Sequence, residues 1–235
     1  AIMKKLRHKN IVALYEVIDD PSAEKLYLVM QYVENGPIVR IRGDFTCEPV
    51  DEQKVVKYLR QLCSGLRYLH KRNVVHRDIK PDNILVGNDG TVYLADFGVS
   101  EITESQHHTV KGMQGTPVFL APELLNHGES QADGVSADVW ALGVTLYLML
   151  FGTAPFTGKS FNEIAENIKT KPVHLPVGSP VTHRWKDIIH GMLEKNPAKR
   201  MSLSQLKVHK IFMNVMGIQS AIPVTKRELT GALRN

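Results

Sequence analysis

Four residues in the middle of this chain have the types and spacing to move a phosphoryl group. Asp78, Lys80 and Asn83 lie in VVHRDIKPDNILV, and Asp96 lies in the YLADFG that follows. Together they offer a carboxylate base, a cation and two hard oxygen ligands. Phosphoryl transfer calls for that set: a base orients the attacking hydroxyl, and positive charge meets the transferring group. Magnesium prefers oxygen ligands and takes one or two from protein, the rest from phosphate and water, a demand that Asn83 and Asp96 fit. The plainer reading is a set of solvated turns, because Asp, Asn, Lys and Pro are common in turns. A third segment in register, GTPVFLAPE from Gly115 to Glu123, argues against it.

The elements that would position these residues can be read from periodicity. Two strand-like runs, Ile11–Ile18 and Leu26–Val33, flank the turn residues Asp19-Asp20-Pro21-Ser22. Asp51 is a candidate N-cap for a helix whose apolar face carries Val55, Tyr58, Leu59, Leu62, Leu66 and Leu69, up to His70. Short apolar runs around Gly87-Asn88-Asp89-Gly90 predict a small hairpin. The stretch from Gly98 to Pro117 has little periodicity and, at about twenty residues, exceeds the usual connection. Helices are then expected over Val135–Leu150, Ser160–Ile168, His183–Leu193 and Ser202–Val208.

Composition narrows the classes. The chain has 235 residues, 43% of them hydrophobic, which suits one large domain or two joined lobes. The apolar run from Val139 to Phe151 is too short to span a bilayer and carries a glycine, so a buried core helix and no membrane span is the expectation. The two cysteines, Cys47 and Cys63, have neither metal nor redox spacing, which points to a reducing, cytoplasmic setting. A net charge of +5 with scattered basic residues gives no nucleic-acid stripe. The opening AIMKKL reads as the last turns of a helix, so the chain is expected to begin partway through an element.

HRDIKPDN, DFG and APE, in that order and spacing, resemble the eukaryotic protein kinase superfamily, serine/threonine type. The resemblance runs from Ala1 to about Phe212 and takes in Asp138-Val139-Trp140 and Asn196-Pro197-Ala198-Lys199-Arg200. It implies an α+β, bilobal fold with a partial N-lobe and a complete, mainly helical C-lobe. Residues 1–33 would be the N-lobe remnant and hinge, 34–212 the C-lobe and 213–235 a tail. It implies ATP and Mg2+ as cofactors and a protein substrate as partner. Asp78 would orient the substrate hydroxyl, Lys80 would meet the γ-phosphate, and Thr116 would hydrogen-bond around both. Asn83 and Asp96 would hold magnesium. Met30 would be the gatekeeper beside the adenine, Gln31 and Val33 would face its edge, and Leu85 would lie under the ring. Plain core packing is the alternative for Met30 and Leu85, and the two readings are compatible. Glu123 would pair with Arg200, and Met3, Leu14, His76 and Phe97 would stack between the lobes.

Within the superfamily, LADFGVSE, GTPVFLAPELL, DVWALGVTLYLMLFGTAPF and LEKNPAKR look most like the calcium/calmodulin-dependent protein kinase kinases, upstream kinases of the AMP-activated kinase group. That likeness implies a threonine in another kinase's activation loop as acceptor. Pro37 and Leu148, at positions where basic-directed kinases carry acids, imply no preference for basic substrates. The position about four residues before Thr116 holds Gly112 and no acceptor; Thr103, Ser105 and Thr109 lie further upstream. Loop phosphorylation is therefore not expected to be the main switch, although Arg77 could receive a phosphate. His107-His108 reads as a polar loop surface, and the tail has too few basic residues to argue for calmodulin. The sequence contains no G-x-G-x-x-G, no V-A-I-K-like strand precedes the first helix, and the helix glutamate would fall before Ala1. The alternative is a non-catalytic, kinase-like binding or scaffold protein.

Overall fold

The computed structural model describes residues 2–20, 25–98, 100–103, 109–110, 115–125, 132–178 and 180–213. It opens with a single 3-10 turn, Ile2–Lys5, in place of the α-helical turns expected there; Lys4 and Lys5 face solvent. Strands β1 (Leu14–Asp20) and β2 (Lys25–Met30) form an antiparallel ribbon. β1 starts later than the apolar run because Ile11 and Val12 are taken up elsewhere. Val12 N–H donates to Leu94 O at 2.9 Å, and Ile11 bridges the same residue.

Every residue of β2 is exposed, whereas β1 reaches the core through Leu14 and Val17. Met30, at its end, is 43% exposed. The core reading of Met30 is therefore corrected: the apolar run is real, but nothing among the described residues covers it.

Helix α1 (Glu52–His70) begins as expected, with Asp51 Oδ1 accepting from the N–H groups of Gln53 and Lys54 at 3.1 and 3.2 Å. Its apolar face, Val55, Leu59, Leu62, Leu66 and Leu69, is fully buried. It lies against α2 (Gly134–Phe151), which is buried almost all round. By length and composition α2 could cross a membrane, but 89% of it is enclosed by the protein, as a core helix would be. Leu148, at the position compared with an acid of basic-directed kinases, is fully buried in α2.

The remaining helices are α3 (Phe161–Thr170), α4 (Pro180–Met192), α5 (Leu203–Lys207) and α6 (Lys210–Met213). Ser160 and Ser202 serve as N-caps rather than first helical residues, the second in a reciprocal capping box with Gln205. α4 presses on α2 at Gly143, where an added Cβ would come within 2.9 Å of Met192 Cβ. α2 ends at Gly152, whose φ of +71° closes the helix; Cys47 O lies 2.7 Å from where its Cβ would be.

Between α1 and α2 run short strands that hold the loops. β3 (Val74–Val75) pairs with β6 (Glu101–Ile102), and β4 (Ile84–Val86) with β5 (Val92–Leu94), the predicted hairpin. β7 (Thr109–Val110) pairs with β8 (Ala132–Asp133). The result is the expected α+β fold, with its core between α1, α2 and α4 and its loops gathered at the ends of β3, β4 and β5.

Candidate active site

The loop after β3 hangs from one buried carboxylate. Asp138 in α2 is 1% exposed and accepts from His76 N–H at 3.0 Å, Arg77 N–H at 2.9 Å and His70 Nε2 at 2.8 Å. Burial alone would raise its pKa, but the His70 hydrogen bond, the neighbouring imidazoles and the His76 N–H hold it below 3.8. Arg77 has a φ of +68°, unfavourable for a long side chain. Its N–H is fixed in that conformation by Asp138.

His76 is fully buried, and burial lowers its pKa from 6.5 against the pull of Asp138. Its Nε2 donates to Ala95 O at 3.0 Å and its Nδ1 accepts from Asp78 N–H at 3.4 Å, the pattern of a neutral imidazole. Its ring centroid is 4.9 Å from that of Phe97. Leu14 is also buried, whereas the Met3 side chain lies outside the described residues.

Asp78, Lys80, Asn83 and Thr116 are brought together. Lys80 Nζ lies 2.8 Å from Asp78 Oδ2 and donates to Thr116 Oγ1 at 3.0 Å. Asn83 Nδ2 donates to Asp78 Oδ2 at 2.8 Å and to Asp78 O at 2.9 Å. The other carboxylate oxygen, Asp78 Oδ1, is buried with no partner among the described residues. A buried acceptor left unpaired costs about 1–3 kcal/mol, so it is best understood as an atom awaiting a donor. Gly115 (φ +108°) keeps the approach open: a Cβ there would stand 3.3 Å from Asp78 Oδ1 and 3.1 Å from Arg77 O.

Asp96 follows β5 with a φ of +57° and an exposed carboxylate, whose Oδ1 accepts from Gly98 N–H at 3.1 Å. Ala95 N–H donates to Asn83 O at 2.9 Å, so the backbones carrying Asn83 and Asp96 are tied directly. Asn83 spends its amide nitrogen on Asp78 and has its oxygen to offer a cation. The pair is a hard-oxygen set of the size magnesium uses. Among the described residues no cluster of three or more His, Cys, Asp or Glu could form a fuller cage.

The residues expected around a nucleotide lie at the end of β2, along the segment that follows it, and in β4. Gln31 N–H donates to Ala13 O at 2.8 Å, closing the ribbon. Val33 is buried, while Leu85 is half-buried in β4 and bridged by Pro37. Asn35 N–H to Val86 O at 3.1 Å and Ile38 N–H to Ile84 O at 2.7 Å hold this segment beside β4.

Two ion pairs frame the site. Arg200, with a side chain 1% exposed, makes two bonds to Glu123 at 2.7 and 2.8 Å, and others to Ser136 O and Glu194 O, both at 2.9 Å. Arg77 pairs with Glu101 of β6. Glu101 and the two partners of Asp138, His70 and the loop backbone, escaped the reading of the sequence, although Asp138 itself lies in the quoted DVW. His107-His108, Ser105, Gly112 and the tail fall outside the described residues, as does the Thr109 side chain.

A family model described as "Protein kinase domain" matches residues 1–212. The chain is 43% identical over 210 residues to a "Calcium/calmodulin-dependent protein kinase kinase" of Caenorhabditis elegans, covering 89% of this chain and 38% of that protein. It is 40% identical over 208 residues to "Serine/threonine-protein kinase GRIK2" of Arabidopsis thaliana, covering 88% and 50%. It is 35% identical over 254 residues to "Serine/threonine-protein kinase TOS3" of Saccharomyces cerevisiae, covering 95% and 45%. The chain thus spans half or less of the length of these relatives.

Proposed function

This chain belongs to the protein kinase family, and on that premise we propose that it transfers the γ-phosphoryl group of ATP to a serine or threonine hydroxyl of a protein. The observation that carries this reading is the unpaired Oδ1 of Asp78, buried beside Lys80, Asn83 and Thr116. Asp78 accepts the hydroxyl proton at Oδ1 and so aims the hydroxyl oxygen. Lys80, steadied by Asp78 Oδ2 and Thr116 Oγ1, presents its ammonium to the charge that builds on the transferring group. Asn83 and Asp96 would hold Mg2+, which neutralises phosphate charge when bound. Gln31, Val33, Leu85 and Met30 would seat the adenine. In this reading residues 1–33 act as the upper, nucleotide-facing part, 34–212 as the catalytic lobe and 213–235 as a tail.

The finer assignment is that the acceptor is a threonine in another kinase's activation loop. It is supported by likeness to the C. elegans protein, named a kinase kinase. Cys47 and Cys63 are free and buried, which suits a reducing, cytoplasmic setting. The alternative is a non-catalytic, kinase-fold binding or scaffold protein. The two are separated by measuring magnesium-dependent ATP binding and phosphate transfer to a kinase-loop peptide, with Asp96→Ala as control. Transfer that Asp96→Ala abolishes establishes the enzyme. Absence of both binding and transfer counts against catalysis by these 235 residues.

A further inference from the structure

The catalytic loop is held at two places, and only one of them is the helix below it. Arg77 immediately precedes Asp78, so whatever fixes Arg77 fixes the base. Its backbone is fixed by Asp138. Its side chain is 8% exposed, and the guanidinium pairs with Glu101, which stands on β6 at the start of the activation segment. We propose that Glu101 is a positioning residue: a carboxylate built into the chain that sets Asp78 through Arg77, so that the loop is held without a phosphate on the activation segment. The proposal rests on the kinase reading above.

Several observations place Glu101 there by design of the backbone and not by a wandering side chain. Val75 is opposite Glu101 and Val74 opposite Ile102, so the strand register puts the carboxylate beside the residues that follow β3. Ser100 Oγ donates to His76 O at 3.1 Å, while Thr103 N–H and Oγ1 both donate to Asn73 O, at 2.9 and 3.2 Å. Residues 100–103 are thus stitched to 73–77 on either side of the ion pair. A guanidinium this buried needs a counter-charge to stay ionised at low cost. A carboxylate brings one negative charge, enough for one guanidinium, where a phosphate would bring about −1.5 to −2.

The neighbouring hydroxyl is not positioned to take over. Thr103 is 4% exposed, and its Oγ1 is engaged with Asn73 O, so a modifying enzyme has no access to it in this conformation. The counter-charge for Arg77 therefore comes with the sequence and needs no second enzyme to supply it.

The test uses the full chain and its Glu101→Gln, Glu101→Asp and Glu101→Arg variants. Two readouts are taken: steady-state transfer to a threonine peptide, and hydrogen exchange at the Arg77 and Thr103 amides. Glu101→Gln should lower kcat about tenfold while KM for Mg-ATP stays within about twofold, because the base and not the nucleotide seat is loosened. Glu101→Asp should recover part of the loss, and Glu101→Arg should be worse than Glu101→Gln. Arg77 and Thr103 amides should exchange faster in Glu101→Gln, with protection in α1 and α2 unchanged. Phosphatase treatment of the wild-type chain should leave its rate unchanged. Wild-type protection at Arg77 in Glu101→Gln would overturn the proposal, as would a phosphatase-sensitive wild-type rate. Should the wild-type chain transfer no phosphate, the kinase reading fails on that result, and the exchange measurement still decides the role of Glu101.

Discussion

Replacing Glu123 with glutamine isolates the value of one buried charge. The side chain keeps its shape and can still accept a hydrogen bond, but Arg200 loses its counter-ion. Arg200 is 1% exposed and Glu123 13%, so solvent screens little of the change. The two bonds of 2.7 and 2.8 Å are charge-assisted and would become ordinary ones. The guanidinium would remain tied to Ser136 O and Glu194 O and lie over the Trp140 ring at 5.1 Å, with no room to swing into water. Breaking such a pair from one side costs about 3–5 kcal/mol. For a domain of this size each kcal/mol moves the midpoint about 2–4 °C, so Tm should fall by about 6–20 °C. Urea titration gives the same quantity without heating, provided the slope is unchanged. Arg200→Met should cost less than Glu123→Gln, because Glu123 can reach solvent once released. A loss below about 1 kcal/mol for Glu123→Gln would show that the pair behaves as an exposed one and would refute the argument.

Other expectations are more direct. Asp78→Asn should cut phosphate transfer about a hundred- to ten-thousandfold with the unfolding midpoint little changed, measured by peptide phosphorylation beside a urea titration. Gly115→Ala should impair the protein substrate more than ATP, seen as a selective rise in KM for peptide, since its Cβ would crowd Asp78 Oδ1. His76 is buried neutral with a pKa below 6.5, so the unfolded chain binds more protons than the folded one as pH falls through that value. Its stability contribution is complete above 6.5 and is lost below it; urea midpoints at pH 8 and pH 5 should differ in that sense, and His76→Phe should flatten the difference. Gly143→Ala should destabilise by about 1–3 kcal/mol through overpacking against Met192 and Leu193, again by urea titration.

The candidate site residues were legible because chemistry fixes both their types and their order along a short loop. Asp78, Lys80 and Asn83 lie within one turn-rich stretch, and their mutual hydrogen bonds are local. Glu101 was not legible, because its value depends on the β3–β6 register, and a glutamate in a polar segment looks the same whether or not it meets a buried arginine. The role of Asp138 was hidden for a similar reason: its partners come from the end of α1 and from the loop. α2 is apolar on every side, so its sequence has no periodicity to say which face meets what, and the full burial of Leu148 could not be read from it. Met30 shows the converse. Hydrophobic composition identifies a residue suited to burial, but burial also needs neighbours, and the described residues supply none over β2.

The attachment of the loop to Asp138 also bears on the heat and entropy of substrate binding. His76 and Arg77 are held by a carboxylate deep in the helical core, so the segment bearing Asp78 is ordered before any ligand arrives. Ordering a residue's backbone costs about 1–2 kcal/mol of entropy at room temperature. A loop that has already met that cost during folding leaves the peptide to lose only its own freedom. Calorimetric titration of an acceptor peptide should therefore show an entropy penalty that scales with the length of the peptide, with no added contribution from the loop.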